Sequence, residues 1–249
     1  MNKFSSDIDL TIIIPCLNEG LDLEDTIKTN IEDAKKYLSN FEIVIVNDGS
    51  TDDTLTIAER LAKSYSNIRI VTHKKNLGLG SSILSGAKIA RYDLVTYLPG
   101  DGQVYIRDII AGLQKARKAD LVLTYRKSRR DYTLYRKFLS WCLTILIRIL
   151  FGLKYRDYNW VHIYKKIIFS KVEIKSNGVF FLGEIVIKAH KQGMKIVEAE
   201  SMYRPRRSGV SKTAKLRIAL RAFFDLLSIW CNLLYPNKKN NSKNNKGNG

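Results

Sequence analysis

Five short apolar runs, each followed by a helical pattern, fill the first half of the chain and leave it few architectures. Residues 10–15, 41–46, 68–72, 93–98 and 120–124 read as strands. Helical stretches separate them at 21–38, from Ser50 or Thr51 to 65, at 79–90 and at 105–118. Strand and helix in strict alternation imply an α/β fold whose mostly parallel sheet carries helices on both faces. Ser50 or Thr51 is expected to cap the second helix, with Asp52 and Asp53 in its first turn, where acids favour the helix dipole.

Beyond residue 124 the pattern changes. Residues 132–151 are apolar with cations at Arg136, Lys137 and Arg148, and lack two-residue alternation, so a helix is expected. Strand-like pieces follow at 160–164, 178–182 and 195–199, with a helix at 183–191. A further amphipathic helix spans 212–234 and stops before Pro236. The organisation expected is one catalytic domain over 1–212, which includes the amphipathic helix 132–152, then a C-terminal amphipathic helix at 213–235 and a disordered Asn/Lys tail at 236–249.

Charge is divided unevenly. Residues 1–114 hold 12 Lys and Arg against 16 Asp and Glu, whereas residues 115–249 hold 30 against 8. The basic half calls for an anionic partner: a membrane surface, a lipid phosphate or a nucleic acid. Nucleic acid is set aside, because the basic residues are interleaved with apolar ones and no zinc-finger, RNP or basic-zipper signature occurs. Cys16, Cys142 and Cys231 form no CxxC or metal spacing and read as reduced thiols. The N-terminal residues lack the apolar core of a signal peptide. No run reaches the roughly 18–20 uninterrupted apolar residues that a membrane-spanning helix needs. A peripheral position on the cytoplasmic face of a membrane is therefore expected.

Four motifs sit where strands of such a sheet end, the side on which open α/β sheets bind ligands. Ile14-Pro15-Cys16-Leu17-Asn18-Glu19 ends the first strand and offers hydrogen-bonding groups before a helix N-terminus. Asn47-Asp48-Gly49-Ser50-Thr51-Asp52 ends the second, and the Asp48 carboxylate can accept from base or ribose donors or cap a helix. Asn76-Leu77-Gly78-Leu79-Gly80 is a Gly-rich turn that lets backbone amides approach a ligand. Asp101-Gly102-Gln103 ends the fourth strand with two oxygen donors suited to a hard cation such as Mg²⁺ or Mn²⁺.

Together these strings, with Arg207-Ser208-Gly209-Val210-Ser211-Lys212, resemble the family two glycosyltransferases of the GT-A fold, a Rossmann-like architecture, over roughly residues 8–212. The basic, membrane-like helices are most similar to the polyprenyl-phosphate or dolichyl-phosphate hexosyltransferases, which move mannose or glucose from GDP or UDP onto a lipid phosphate. The resemblance implies that Pro15, Asn18, Glu19, Asp48 and Gly78 line the nucleotide-sugar pocket and that Asp101 and Gln103 hold the metal. It also implies that Arg207 and Lys212 close over the diphosphate and that Arg126 and Arg136 meet the acceptor phosphate. Pro99 stands where the family's Asp-x-Asp motif has its first acid, which implies weaker metal binding.

The acceptor decides whether a base is needed. A sugar hydroxyl normally requires one, whereas a lipid phosphate is already anionic. Glu184, in Phe181-Leu182-Gly183-Glu184, is the candidate base. The alternative function, extension of a capsule or lipopolysaccharide saccharide, depends on it. Equally, Glu184 can be an acid at a helix start, and Asp157 stands equally open. Helices 132–152 and 213–235 are expected to lie in an anionic membrane interface, since each nearby Lys or Arg adds about 1 kcal/mol of attraction, the alternative being that both bury their apolar faces in the core or a dimer interface.

Overall fold

The computed structural model describes residues 7–127, 132–176, 178, 180–204 and 216–234. Its frame is a seven-stranded sheet with strands β1 (Asp9–Cys16), β2 (Asn40–Asn47), β3 (Ile68–Thr72), β4 (Leu94–Tyr97), β5 (Leu121–Arg126), β6 (His162–Lys165) and β7 (Ile196–Ser201). The order is β3-β2-β1-β4-β6-β5-β7. All neighbours pair parallel except β6, which runs antiparallel to both β4 and β5.

The central strands are mostly apolar because both faces are covered, with Thr11, Glu42 and Thr96 the buried polar exceptions in their interiors. Leu10, Ile12, Ile13 and Ile14 of β1, and Ile43, Val44, Ile45 and Val46 of β2, are fully buried. Each such side chain is worth roughly 1.5–3 kcal/mol relative to exposure. Helices α1 (Gly20–Tyr37) and α2 (Thr54–Ser64) follow β1 and β2, and α3 (Leu79–Ile89) returns the chain to β4. Helix α3 packs tightly: a methyl on Gly86 would lie 2.7 Å from Ile13 Cγ2. A 3-10 turn (Ile106–Asp108) and α4 (Ile110–Ala116) follow β4, and Gly112 of α4 rests on Ile163, Thr124 and Val122. Registry puts Ile163 and Val122 on the same sheet face as Thr96 and Ile12, opposite Ile13. So α3 and α4 cover opposite faces.

The alternating pattern over the first 126 residues is the one expected. Two local expectations are corrected, and one element is new. Helix α2 begins at Thr54 and takes no cap from Ser50 or Thr51. No strand forms among the described residues of 178–182. Helix α7 (Phe181–Lys191) begins there instead, because Phe181 is buried against α3, where a methyl on Gly80 would come within 2.7 Å of its ring. A short helix α6 (Ile168–Lys171) after β6 had no sequence signal.

Helices α5 (Leu134–Phe151) and α8 (Leu216–Leu234) pack on each other. Ala222, Leu226 and Ile229 of α8 and Ile147 of α5 face inward. Leu134 (83% exposed), Tyr135, Phe138, Trp141 (59%) and Ile149 (72%) of α5, with Phe223 and Phe224 of α8, face outward. No helix among the described residues is long and apolar enough to cross a membrane.

Candidate active site

Strands β1, β2 and β3 are laid down in one direction across the sheet, and α3 carries the chain back to β4 on the far side of β1. The loops after β1 and β4 therefore diverge, and a crevice opens at the carboxyl edge between them. The loops after β1, β2 and β3 border this crevice and are stitched together by side chains. Asn18, held in the left-handed region at φ 54°, accepts at Oδ1 from Thr51 N (2.8 Å), and its own N–H donates to Ser50 Oγ (3.0 Å). Glu19 N donates to Thr54 Oγ1 (3.0 Å) and Gly20 N to Asp52 Oδ2 (3.1 Å). Asp52 Oδ1 accepts from both Thr54 N and Thr54 Oγ1, so Asp52 organises the start of α2. Burial raises the Asp52 pKa, but these hydrogen bonds from Thr54 and Gly20 outweigh it and hold the carboxyl below its ordinary value.

Asp48 is buried, and its carboxylate serves the chain itself. Oδ1 accepts from Leu77 N (2.9 Å) and lies 2.7 Å from His73 Nδ1. Oδ2 accepts from Gly78 N (2.8 Å). Gly78, at φ 94°, precedes α3, so Asp48 is the anion at the N-terminus of α3, thirty residues on in the chain. The expectation that Gly78 offers a free amide to a ligand is corrected, since Asp48 takes that donor. The helix that Asp48 caps is α3 and not the adjacent α2. Gly49 (φ 74°) allows the approach: a methyl there would lie 2.5 Å from the Lys75 carbonyl carbon.

The β4 loop folds back onto β1, where a methyl on Gly100 would meet Cys16 Sγ at 3.0 Å. Asp101 is buried and its Oδ1 accepts from Gln103 N (3.2 Å), while Gln103 Nε2 donates to Tyr203 Oη (3.3 Å). Pro15, half-buried, lines the same junction, and its carbonyl oxygen would lie 3.5 Å from that same methyl on Gly100. Burial, then the charges of Glu19, Asp101 and Asp52, push the Cys16 thiol far above its ordinary pKa. Among the described residues no three His, Cys, Asp or Glu side chains form a self-sufficient metal cage. Asp101 and Gln103 fit a hard cation that draws its remaining oxygen ligands from elsewhere.

A second cluster adjoins the first through Tyr203. Arg126, at the end of β5, donates through Nε to Asp157 Oδ2 (2.8 Å) and through Nη2 to Oδ1 (3.0 Å), a bidentate buried pair. Its Nη1 bonds Tyr132 Oη, and the guanidinium lies 4.6 Å from the Trp160 ring centroid and 5.2 Å from that of Tyr132. Tyr203 packs edge-on against both rings. All the Arg126 donor nitrogens are therefore engaged within the chain, and its charge is matched by Asp157, which settles what Asp157 contacts. Arg136 lies on the first turns of α5, and its side chain is outside the described residues, as are Arg207 and Lys212.

Glu184 is fully buried. It accepts from Lys175 N (3.0 Å), Ser176 N (2.7 Å) and Lys188 Nζ (2.5 Å). Burial raises its pKa, but the Lys188 hydrogen bond and the Ser176 and Lys175 N–H groups more than reverse this, leaving it below the ordinary carboxylate value. A weakly basic, triply bonded carboxylate without solvent access is a poor proton acceptor. The candidate base is thus corrected to an anchor that ties residues 173–176 to α7.

Sequence reasoning missed His73, Ser85 and the aromatic ring set Tyr132, Trp160 and Tyr203. His73 Nε2 lies 2.9 Å from Ser85 Oγ. Most of these contacts join residues far apart in the chain, as Gln103 and Tyr203 are at 100 positions, and no local spacing signals them.

Comparison with known proteins accords with this geometry. Over 227 residues the chain is 30% identical to the dodecaprenyl-phosphate galacturonate synthase of Rhizobium johnstonii, covering 89% of this chain and 66% of that protein. It is 34% identical over 156 residues to a dolichyl-phosphate beta-glucosyltransferase of Trichomonas vaginalis, covering 56% and 48%. The chain thus spans from about half to about two-thirds of these relatives' lengths. Structures of glucosyl-3-phosphoglycerate synthase from Mycobacterium tuberculosis, one with phosphoglyceric acid and one with Mn²⁺, UDP and glucosyl-3-phosphoglycerate, superpose with a TM-score of 0.68 at 16% identity, over 89% of this chain and 80% of theirs. That likeness establishes the GT-A-like α/β fold. The sequence pattern of the family matches residues 11–170, and the chain belongs to glycosyl transferase family 2.

Proposed function

We propose that the protein transfers a hexose from a nucleoside-diphosphate sugar to a polyprenyl phosphate at a membrane surface. The observation that carries the reading is the state of Glu184. Extension of a saccharide needs a base for the attacking hydroxyl, and the carboxylate nominated for that task is buried, paired with Lys188 and lowered in pKa. A phosphate monoester attacks as an anion and needs none. The relatives named for dodecaprenyl and dolichyl phosphates support the same acceptor class.

On this reading the stitched loops after β1, β2 and β3 form a preorganised nucleoside cradle, with Pro15, Asn18 and Glu19 at its rim and Asp48 at its floor. Asp101 and Gln103 would hold Mg²⁺ or Mn²⁺ against the diphosphate, as the Mn²⁺–UDP complex of the structural neighbour suggests. Such an ion neutralises charge developing on the leaving diphosphate. Arg207 and Lys212 would approach the diphosphate, and Arg136 would approach the acceptor phosphate. Arg126 meets the acceptor only by exchanging Asp157 for phosphate, two anions that fit the same guanidinium fork.

The outward apolar face of α5 and α8, beside exposed Lys137 and Arg148, suits a peripheral position in an anionic interface. The test is a transfer assay with labelled UDP- and GDP-sugars, short polyprenyl phosphate and Mn²⁺ or Mg²⁺. Label in a mild-acid-labile, organic-soluble product is expected. Turnover of the donor with label only in aqueous saccharide would overturn the acceptor assignment.

A further inference from the structure

We infer that His73 is a positioning residue of the nucleotide-sugar pocket, one that determines which oxygen of Asp48 is left to read the nucleoside. The inference rests on the donor reading of the Asp48 loop given above.

His73 is the first residue after β3, and its N–H continues the β2 ladder by donating to Asn47 O (2.9 Å). The side chain, 9% exposed, lies between Asp48 Oδ1 and Ser85 Oγ and so joins the ends of β2 and β3 to α3. An ionised carboxylate can only accept, so Nδ1 carries the proton facing Asp48. The Ser85 hydroxyl rotates and can donate to Nε2 or accept from it, so the bridge is satisfied whether the ring is neutral or charged.

The division of labour at Asp48 follows from counting lone pairs. Oδ1 meets two donors, His73 Nδ1–H and Leu77 N–H, which fill its two lone-pair directions. Oδ2 meets one among the described residues, Gly78 N–H, and keeps one lone pair. Rotation about the terminal bond of an aspartate is soft and two-fold, and nothing in the bond itself distinguishes the oxygens. Contacts with the turn 77–78 alone do not distinguish them either, since each oxygen would hold one N–H. His73 breaks that symmetry: with it in place the open lone pair lies on Oδ2 alone, the acceptor assigned to the base or ribose.

The test is calorimetric titration of the full chain with UDP and GDP in Mn²⁺, alongside transfer kinetics and thermal melts. His73→Asn keeps a side-chain N–H near the Nδ1 position. His73→Gln places its N–H near Nε2, and His73→Phe keeps the ring alone. We expect the Phe and Gln variants to bind their preferred nucleoside diphosphate about tenfold more weakly, the size of one hydrogen bond to a charged group. The Asn variant should return to within about threefold of the parent, and the transfer rate at saturating donor should stay within about twofold throughout. The proposal is overturned if Asn binds as weakly as Phe, if Phe binds as tightly as the parent, or if saturated rate and melting temperature fall together with affinity. A parent protein that binds neither diphosphate would remove the donor reading itself. Normal parent binding with an indifferent Phe variant would remove only the role of His73.

Discussion

Replacing Glu184 with glutamine separates an anchor from a base more sharply than any other change in this chain. The carboxylate holds three donors: the N–H groups of Lys175 and Ser176 and the ammonium of Lys188. Glutamine keeps the shape but offers one acceptor oxygen, so at least one donor faces an NH₂ group. Removing one partner of a buried ion pair typically costs about 3–5 kcal/mol. Lys188 keeps a bond to Glu173 O, and at 16% side-chain exposure its ammonium can turn toward water, which lowers the cost to about 2–4 kcal/mol. For a chain of this size each kcal/mol moves the melting temperature by roughly 2–4 °C, so a fall of about 8 °C is expected. The folded-state pKa of Glu184 is depressed, so its contribution is complete above the ordinary value of 4.5 and is lost as pH falls through the lower folded value. The gap between parent and variant melts should therefore be full at pH 7 and close below pH 4.5. Transfer by the folded fraction at 25 °C should stay within about threefold of the parent. A loss of roughly 10²–10⁴ in rate with an unchanged melt is the signature of a general base and would refute the reasoning.

Asp101→Asn keeps the turn but removes its charge, and transfer should fall at least about a hundredfold while the melt moves little; retained activity would end the metal assignment. Arg136→Ala should raise the KM for polyprenyl phosphate about tenfold and leave that for the nucleotide sugar within about twofold, whereas equal effects on both would argue against an acceptor contact. The stacked, exposed pair Phe138 and Trp141, both changed to Glu, should reduce partition onto phosphatidylserine-containing vesicles about tenfold without lowering the melt; unchanged sedimentation with vesicles would remove this face from the interface.

The βα frame was legible because β1, β2 and β4 are buried on both faces, and burial writes itself into sequence as mostly apolar runs. The antiparallel β6 was not. Its four residues look like any other short strand, and direction comes from a chain reversal through α5 and residues 152–161. Residues 178–182 misled for a related reason, since a short apolar run carries no period long enough to separate strand from buried helix. At the site, the acids were correctly placed at strand ends, but their partners were not foreseeable. Nothing near Asp48 in sequence indicates Leu77, Gly78 and His73, and nothing near Arg126 indicates that Asp157 occupies its fork.

The antiparallel strand β6 makes the sheet modular. To one side of it lie β1 to β4, and the loops after β1, β2 and β3 bond to one another. To the other lie β5 and β7, which carry Arg126 and the approach to Tyr203. A reversed strand can be reached by excursions of any length without disturbing the register on either side, as the α5 excursion already illustrates. An exchange of the segment from β5 through α5 would leave the bonded loops after β1, β2 and β3 in place.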